Sequence, residues 1–350
     1  MNLPPRYAQT LLAHPRGAEE LLHRNLTAYL RMRRPQPDVG DDDVGDRTDD
    51  PLMALPAAWS VAQASKDDPA GASAAEDCPS PAAETTSPAL PPLSRKQIST
   101  LLAAAGSHPR ALAQSLENIL GDDVCARPLI ELARSIDRGA KDQRLLELLE
   151  QSPGGKLLIF ANFRKTLDHL AELLQSVNVP YAMFTGAESA AEKDAAVDAF
   201  RERVPVLLCS ESGGEGRNLQ FANTLVNYDL PWNPMRIEQR VGRIHRIGQT
   251  REVFIFNLCA AGSLEAQILD VLNEKIRMFE LVVGEVGSIL GNLEGGEEFE
   301  TLVLNLWLRS RDEGELQHSF AQLGHALLEA QEDYLQTKEF DDALFGDDFE

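Results

Sequence analysis

One stretch decides the fold, N227-Y-D-L-P-W-N-P-M-R-I-E-Q-R-V-G-R-I-H-R-I-G-Q249. It reads as a strand, a turn and a short helix loaded with arginine. Asn233 is a good helix cap, and Pro234 suits the first turn, where no backbone donor is needed. Gly248 is expected to stop the helix. At the helical period Ile237, Val241 and Ile244 share one stripe. Gln239, Arg240 and Arg243 are placed away from it, with Arg246 one turn beyond Arg243. Gly242 has no side chain and permits close approach to the helix. The pattern predicts one buried edge and guanidinium groups converging on the other. Planar, bidentate and permanently charged guanidinium groups suit phosphate oxygens. The plainer reading is a solvated arginine-rich face.

Outward from this helix, strands and helices alternate. K156-L-L-I-F160 is a continuous apolar run, as expected of a strand buried on both faces. A helix with Leu167, Leu170, Ala171 and Leu174 on one stripe comes after it. Next are a strand at Tyr181–Phe184, a helix over Ala190–Arg203, and strands at Val204–Ser210 and Asn223–Asp229. Beyond the arginine helix lie a strand at Glu252–Leu258 and a long helix from Ser263 to Val283. This order predicts an α/β fold, a doubly wound parallel sheet with helices on both faces. Ligands of such sheets sit at the carboxyl ends of the strands, so residues after each strand share one rim.

The flanks differ in character. Residues 1–34 read as a helical segment, helical from Gly17 onward, with Leu21, Leu22, Leu26 and Leu30 as an apolar stripe. Residues 35–93 are rich in Asp, Pro, Ala and Ser and carry a charge of about −10, too polar to offset their ordering entropy. They are expected to be a disordered linker. Residues 94–140 return to helical periodicity, the α/β lobe spans 141–283, and 284–350 form an acidic helical extension, residues 280–350 carrying about −15. Its last stretch, E339-F-D-D-A-L-F-G-D-D-F-E350, reads as a solvated tail, with a protein-docking peptide as the alternative.

The formal charge of −22 argues against a chain that coats nucleic acid with its whole surface, whereas residues 201–251 are slightly basic, about +3. The four cysteines are scattered and the histidines are not clustered, which suggests reduced thiols, no metal site and a cytoplasmic location. No apolar run approaches membrane-spanning length, and the amino terminus lacks a signal-peptide pattern.

The segment Q239-R-V-G-R-I-H-R-I-G-Q249 resembles motif VI of superfamily-two helicases in its Swi/Snf form, and the W-N-P before it and the I-G-Q ending are particular to that branch. The glycine-rich loop S210-E-S-G-G-E-G-R-N-L219 resembles motif V. There Gly216 and Asn218 would face the nucleotide, and Ser212 and Gly213 the nucleic-acid backbone. L-L-I-F-A-N-F163 resembles motif IV, which implicates Asn162 and Phe163. F-T-G186 is similar to the next nucleic-acid-contacting turn, which implicates Thr185 and Gly186. Lys193 stands where the family usually has arginine, so the charge is kept but the fork is lost. S107-H-P-R-A-L112 resembles the bracing region before the second motor lobe, and residues 274–291 resemble the segment after the motor in bacterial members. By this resemblance Arg243 and Arg246 would reach the γ-phosphate of ATP, and Gln239 would sit at the interlobe cleft.

The chain contains no G-x-x-x-x-G-K-[ST] segment. G154-G-K156 lacks the first glycine and precedes a strand instead of coming after one. D312-E-G-E315 falls after motif VI, out of order. The resemblance therefore implies the second RecA-like lobe of a Swi/Snf-type DNA translocase. It would complete an ATPase with a P-loop-bearing first lobe on another chain, sharing ATP in trans and meeting magnesium only through that partner. Double-stranded DNA is the expected substrate. The competing reading is a non-catalytic nucleic-acid-binding or scaffold module, or a gene fragment, that keeps the fold.

Overall fold

The computed structural model describes residues 3–35, 91–121, 123–152, 154–211, 219–275, 277–281, 285–291 and 298–345. Nearly all of the expected linker, and Ser212, Gly213, Gly216 and Asn218 of the glycine-rich loop, lie outside the described residues.

Six strands form one all-parallel sheet, in the order β1(Arg6–Ala13), β6(Val253–Ala260), β5(Thr224–Asn227), β2(Leu157–Phe160), β4(Val206–Cys209), β3(Tyr181–Phe184). The central strands β2, β4 and β5 are buried at every position, which is why they read as unbroken apolar runs. Their side chains alternate between two cores. Leu158, Phe160, Leu207 and Leu225 join one, and Leu157, Ile159, Leu208 and Val226 the other. Helices α6(Arg164–Ser176), α7(Ala190–Glu202) and α8(Pro234–Val241) connect consecutive strands. The chain runs outward from β2 to β3 and β4, then returns to β5 on the other side of β2. The reversal opens its crevice between the carboxyl ends of β2 and β5.

The amino-terminal segment, expected to be helical from Gly17 onward, also contributes a strand before that helix. Residues 6–13 are β1, paired in register with β6 from Arg6↔Val253 to Ala13↔Ala260. Only one neighbour borders this edge strand, so its residues mix polar and apolar without clean alternation and give no strand signal. Helix α1(Ala18–Met32) comes next, as expected. It buries Leu22, Leu26, Tyr29 and Leu30, while Leu21 stays exposed. The region 94–140 folds as α2(Arg95–Ser107), α3(Pro109–Leu120) and α4(Arg127–Arg134), and α5(Ala140–Gln151) leads into β2. Ser94 and Gln97 form a reciprocal capping box that starts α2.

The long helix expected from Ser263 to Val283 is interrupted. Helix α9(Leu264–Asp270) passes into a wide π turn at Val271–Lys275, and a 3-10 turn at Met278–Glu280 comes after Arg277, whose φ is +47°. Residues 284–350 contain α10(Glu285–Gly291), α11(Phe299–Arg309) and α12(Glu313–Phe345). Phe299, Leu302, Trp307, Phe320 and Leu327 of this extension are buried in the main core. Helix α12 runs on through Phe345, into the stretch expected to be a solvated tail; residues 346–350 lie outside the described ones.

The chain leaves at Arg33 and returns at Leu93 at almost the same point. The Leu93 N–H donates to the Arg33 carbonyl at 2.7 Å, and Arg33 Nε donates to the Pro91 carbonyl at 2.7 Å. Arg33 is itself buried and pairs with Asp123, to which the Tyr29 hydroxyl also donates. Because the two ends are already clamped together, replacing residues 36–90 by a short Gly/Ser linker should leave the fold intact. Stability should be unchanged or raised by about 1 kcal/mol from the lower loop-closure cost. Urea denaturation of the two chains checks this.

Candidate functional site

Helix α8 begins as the sequence predicts, with Asn233 Oδ1 accepting from the Met235 N–H at 2.9 Å and Pro234 in the first turn. Ile237, Val241 and Ile244 are buried, also as predicted. The helix ends at Val241, however, and Gly242 caps it with φ −59°. Residues 243–248 form successive turns in place of the expected continuation to Gly248. Gln249 fixes those turns. Its Nε2 lies within 3.0 Å of the carbonyls of Gln220, Ala222 and Ile244, and its Oε1 accepts from the N–H groups of Thr250 and Arg251. A side chain that satisfies turn backbone in this way removes the need for helical hydrogen bonds.

Arg240 is the main correction to the sequence reading. Expected among the outward-facing arginines, it is only 2% exposed. Its Nη1 donates to Asn227 Oδ1 and to the Asp229 carbonyl, both at 2.9 Å. Its Nη2 donates to Asn162 Oδ1 at 2.7 Å and to Glu211 at 2.6 Å, and Nε donates to the same Glu211 oxygen at 3.2 Å. The guanidinium also stands 5.0 Å from the centre of the Phe160 ring. One side chain thus ties together the carboxyl ends of β2, β4 and β5. At about 100° per residue, position 240 falls only about 40° from Ile244, so it belongs to the buried face. The charge disguises that geometry.

The other arginines are placed differently. Arg243 is half-buried and Arg246 exposed, both in the turns after α8, and Gln239 is exposed on α8. Neither the Arg243 nor the Arg246 side chain has a hydrogen bond or ion pair among the described residues.

The expected nucleic-acid residues lie along the same rim. Asn162 is bound to the interior, since its N–H donates to both Asp229 oxygens while its amide oxygen receives Arg240. Phe163 is partly buried against the core and Gly186 is exposed. Thr185 is buried, and its N–H and hydroxyl both donate to Glu188. Lys193 lies over the Phe184 ring, 5.9 Å from its centre. In the sheet order β4 separates β2 from β3, so Asn162 and Thr185 flank the strand from which the glycine-rich loop departs.

With this geometry in place, residues 140–248 match the helicase conserved C-terminal domain family. That stretch resembles the C-terminal lobe of Swi/Snf-type helicases. The chain is 38% identical over 212 residues to an uncharacterized ATP-dependent helicase, YqhH, of Bacillus subtilis, an alignment covering 58% of this chain and 38% of that protein. It is 37% identical over 139 residues to the RNA polymerase-associated protein RapA of Vibrio parahaemolyticus, covering 39% of this chain and 14% of that one. The chain thus spans well under half the length of these relatives. The crystal structure of the C-terminal part of the Fun30 ATPase domain shares the fold, with a TM-score of 0.51 at 16% identity over 88% of this chain and 98% of that one. Among the described residues no helix is long and apolar enough to cross a membrane.

The sequence reading misses a buried polar network behind the rim. Asp229 Oδ2 accepts from Ser107 Oγ at 2.9 Å, and Ser107 Oγ lies 2.7 Å from Thr166 Oγ1. Full burial pushes the Asp229 carboxyl above its usual range, with Arg240 as the largest opposing influence. One residue earlier, the Tyr228 hydroxyl donates to Asp142 at 2.7 Å, and the Tyr228 carbonyl receives Lys141 Nζ at 2.7 Å. Lys141 Nζ also lies 3.3 Å from Glu265, whose carboxyl burial pushes up to about 7 against the pull of Lys141.

Two of the seven histidines, far apart in sequence, meet in space. His169 Nε2 is 2.8 Å from Asp142, His108 Nε2 faces the same oxygen at 3.6 Å, and the two rings stack 3.8 Å apart. These three side chains could in principle hold a cation. The Arg110 N–H donates to His108 Nδ1 at 3.1 Å, however, which places the His108 proton on Nε2 and makes that atom a donor. Asp142 is held by hydrogen bonds from His169, the Tyr228 hydroxyl and the Gly139 N–H, with His108 stacked on His169 and just outside hydrogen-bonding distance. Nothing short of contact in three dimensions reveals the group of His108, Asp142 and His169, because its members lie on α5, α6 and the cap of α3.

The two buried groups can be tested separately. Arg240→Ala, and equally Arg240→Lys, should lower stability by about 3–5 kcal/mol, because Asp229 and Asn227 lose a buried partner. Arg243→Ala and Arg246→Ala should stay within about 0.5 kcal/mol of wild type; urea denaturation of all four variants separates the roles. Asp142 is the second case. Burial alone would raise its carboxyl, yet the histidines facing it hold it well below the usual range. Its stabilisation is therefore complete above the unfolded carboxyl value, about 4, and fades as pH falls through the folded one. Asp142→Asn should cost on the order of 2–3 kcal/mol at pH 7 and progressively less below about pH 4, as measured by denaturation at both pH values.

Proposed function

We propose that this chain supplies the second half of an ATP-dependent DNA motor, closing on a nucleotide held by a P-loop-bearing first lobe outside these 350 residues. The observation that carries the reading is the division of labour in Q239-R-V-G-R-I-H-R. Arg240 is committed to the interior, whereas Arg243 and Arg246, in the turns after α8, have no partners among the described residues. A guanidinium that is not neutralised internally suits a phosphate. Arg243 and Arg246 are the residues of this chain that fit ATP, with Gln239 beside them facing the other lobe.

ATP bound to that first lobe supplies the γ-phosphoryl group, and magnesium enters through the same lobe. This chain contributes positive charge fixed where negative charge spreads in the transition state. Arg240 holds α8 to the strand ends, so the turns carrying Arg243 and Arg246 are presented from a rigid base. Double-stranded DNA would run past the ends of β2, β4 and β3, where Phe163, Gly186 and Lys193 lie; by the family resemblance Ser212 and Gly213 are the further candidates for its backbone, and Gly216 and Asn218 for the nucleotide. Likeness to an ATP-dependent helicase supports this assignment. We place the protein in the cytoplasm on its scattered thiols, two of which, Cys209 and Cys259, are buried in the sheet.

The test co-expresses the chain with a first lobe and measures ATP turnover and ATP affinity together. Arg243→Ala and Arg246→Ala should lower turnover by roughly 10³–10⁵-fold with nucleotide affinity nearly unchanged, since the lobes close fully only around the reacting phosphate. Arg246→Lys should not rescue, because a point charge does not reproduce the fork. Unchanged turnover in all three variants, with weakened DNA binding and a shallower salt dependence, would instead identify a non-catalytic binding module.

A further inference from the structure

We propose that Glu188 is an internal competitor for nucleic acid: its carboxylate fills, from within the chain, the place a backbone phosphate would take at the carboxyl end of β3. The inference rests on the reading of Thr185 and Gly186 as a nucleic-acid contact. The Thr185 N–H donates to one Glu188 oxygen at 2.5 Å and its hydroxyl donates to the other at 2.9 Å. A backbone N–H beside a hydroxyl is a donor pair suited to two oxygens of one anion, and carboxylate and phosphate both offer such oxygens. Thr185 is only 3% exposed, so these donors are held in place. Burial raises the Glu188 carboxyl, but the Thr185 hydroxyl and N–H outweigh it and hold the group below its usual range, charged at neutral pH.

Two further observations separate this contact from ordinary helix capping. The amino end of α7 is closed by the next residue: Ser189 Oγ accepts from the Glu192 N–H, and Glu192 accepts from the Ser189 N–H and hydroxyl at 2.8 and 2.7 Å. Glu188 is therefore not needed to start the helix. Nor does it neutralise a nearby cation by contact. Lys193 sits over the Phe184 ring, and Arg164 pairs with Asp168 at 2.8 Å. Of the two, Lys193 is left without an ion pair among the described residues and remains for an anion from outside, while the two donors that would orient it are occupied by a carboxylate. Nucleic acid reaches Thr185 only by displacing Glu188, so contact here is weak until the rest of the interface has formed.

The experiment measures binding of the full 350-residue chain to a fluorescent duplex oligonucleotide by anisotropy across a salt series. Glu188→Ala should bind about tenfold more tightly than wild type, with a steeper salt dependence equivalent to roughly one added phosphate contact. Glu188→Gln keeps an acceptor for Thr185 but loses the charge, and should show an intermediate gain of about threefold. Thr185→Val should abolish the gain in the Glu188→Ala background, a coupling read from the double-mutant cycle. Circular dichroism and thermal melting of each variant confirm folding. If wild type binds and both Glu188 variants, still folded, bind equally or more weakly, Glu188 merely closes the turn and the proposal fails while the DNA reading stands. If neither wild type nor any variant binds, both fall together.

Discussion

Everything at the rim depends on one buried cation. Arg240 enters the sheet from α8 and is met by Asn227, by the backbone of Asp229, by Asn162 and by Glu211. Removing a guanidinium from water is expensive, and the cost is offset only when every donor finds an acceptor. These acceptors come from the ends of three strands, so the requirement fixes where those strands stop and how α8 crosses them. The rim residues inherit their positions from that constraint. A carbon side chain at position 240 would leave Asp229 without its closest cationic neighbour.

The same end of β5 connects the rim to the bracing helices. Tyr228 turns to Lys141 and Asp142 of α5, and Asp229 turns to Ser107 at the end of α2. Gly106 belongs to this junction, since a Cβ there would stand 2.6 Å from the Glu265 carboxylate. Polar groups paired inside a low-dielectric core resist partial separation, because opening one bond leaves a buried partner unsatisfied. The helices before β2 are therefore joined to the sheet through paired buried groups.

Much of this is legible in the chain. The apolar runs at 156–160, 204–210 and 223–229 mark β2, β4 and β5 because both faces of a central parallel strand must be apolar. Asn233, Pro234 and the Ile237–Val241–Ile244 stripe mark α8 because capping and periodicity are local properties. β1 is hidden because an edge strand is only partly buried, and its pairing with β6 spans about 250 residues of sequence. The end of α8 is hidden too, because Gln249 supplies hydrogen bonds from outside the helix to the turns beyond it.

The sequence by itself determined the alternation of strands and helices, the parallel sheet and the concentration of arginines in one short segment. All three rest on period, capping and side-chain chemistry within a few residues. Tertiary structure showed Arg240 as a strut and Arg243 and Arg246 without partners among the described residues. It also gathered His108, Asp142 and His169, and closed Glu188 onto Thr185. Burial and pairing belong to side chains brought together from distant positions, and a one-dimensional pattern carries charge but not the neighbours that neutralise it.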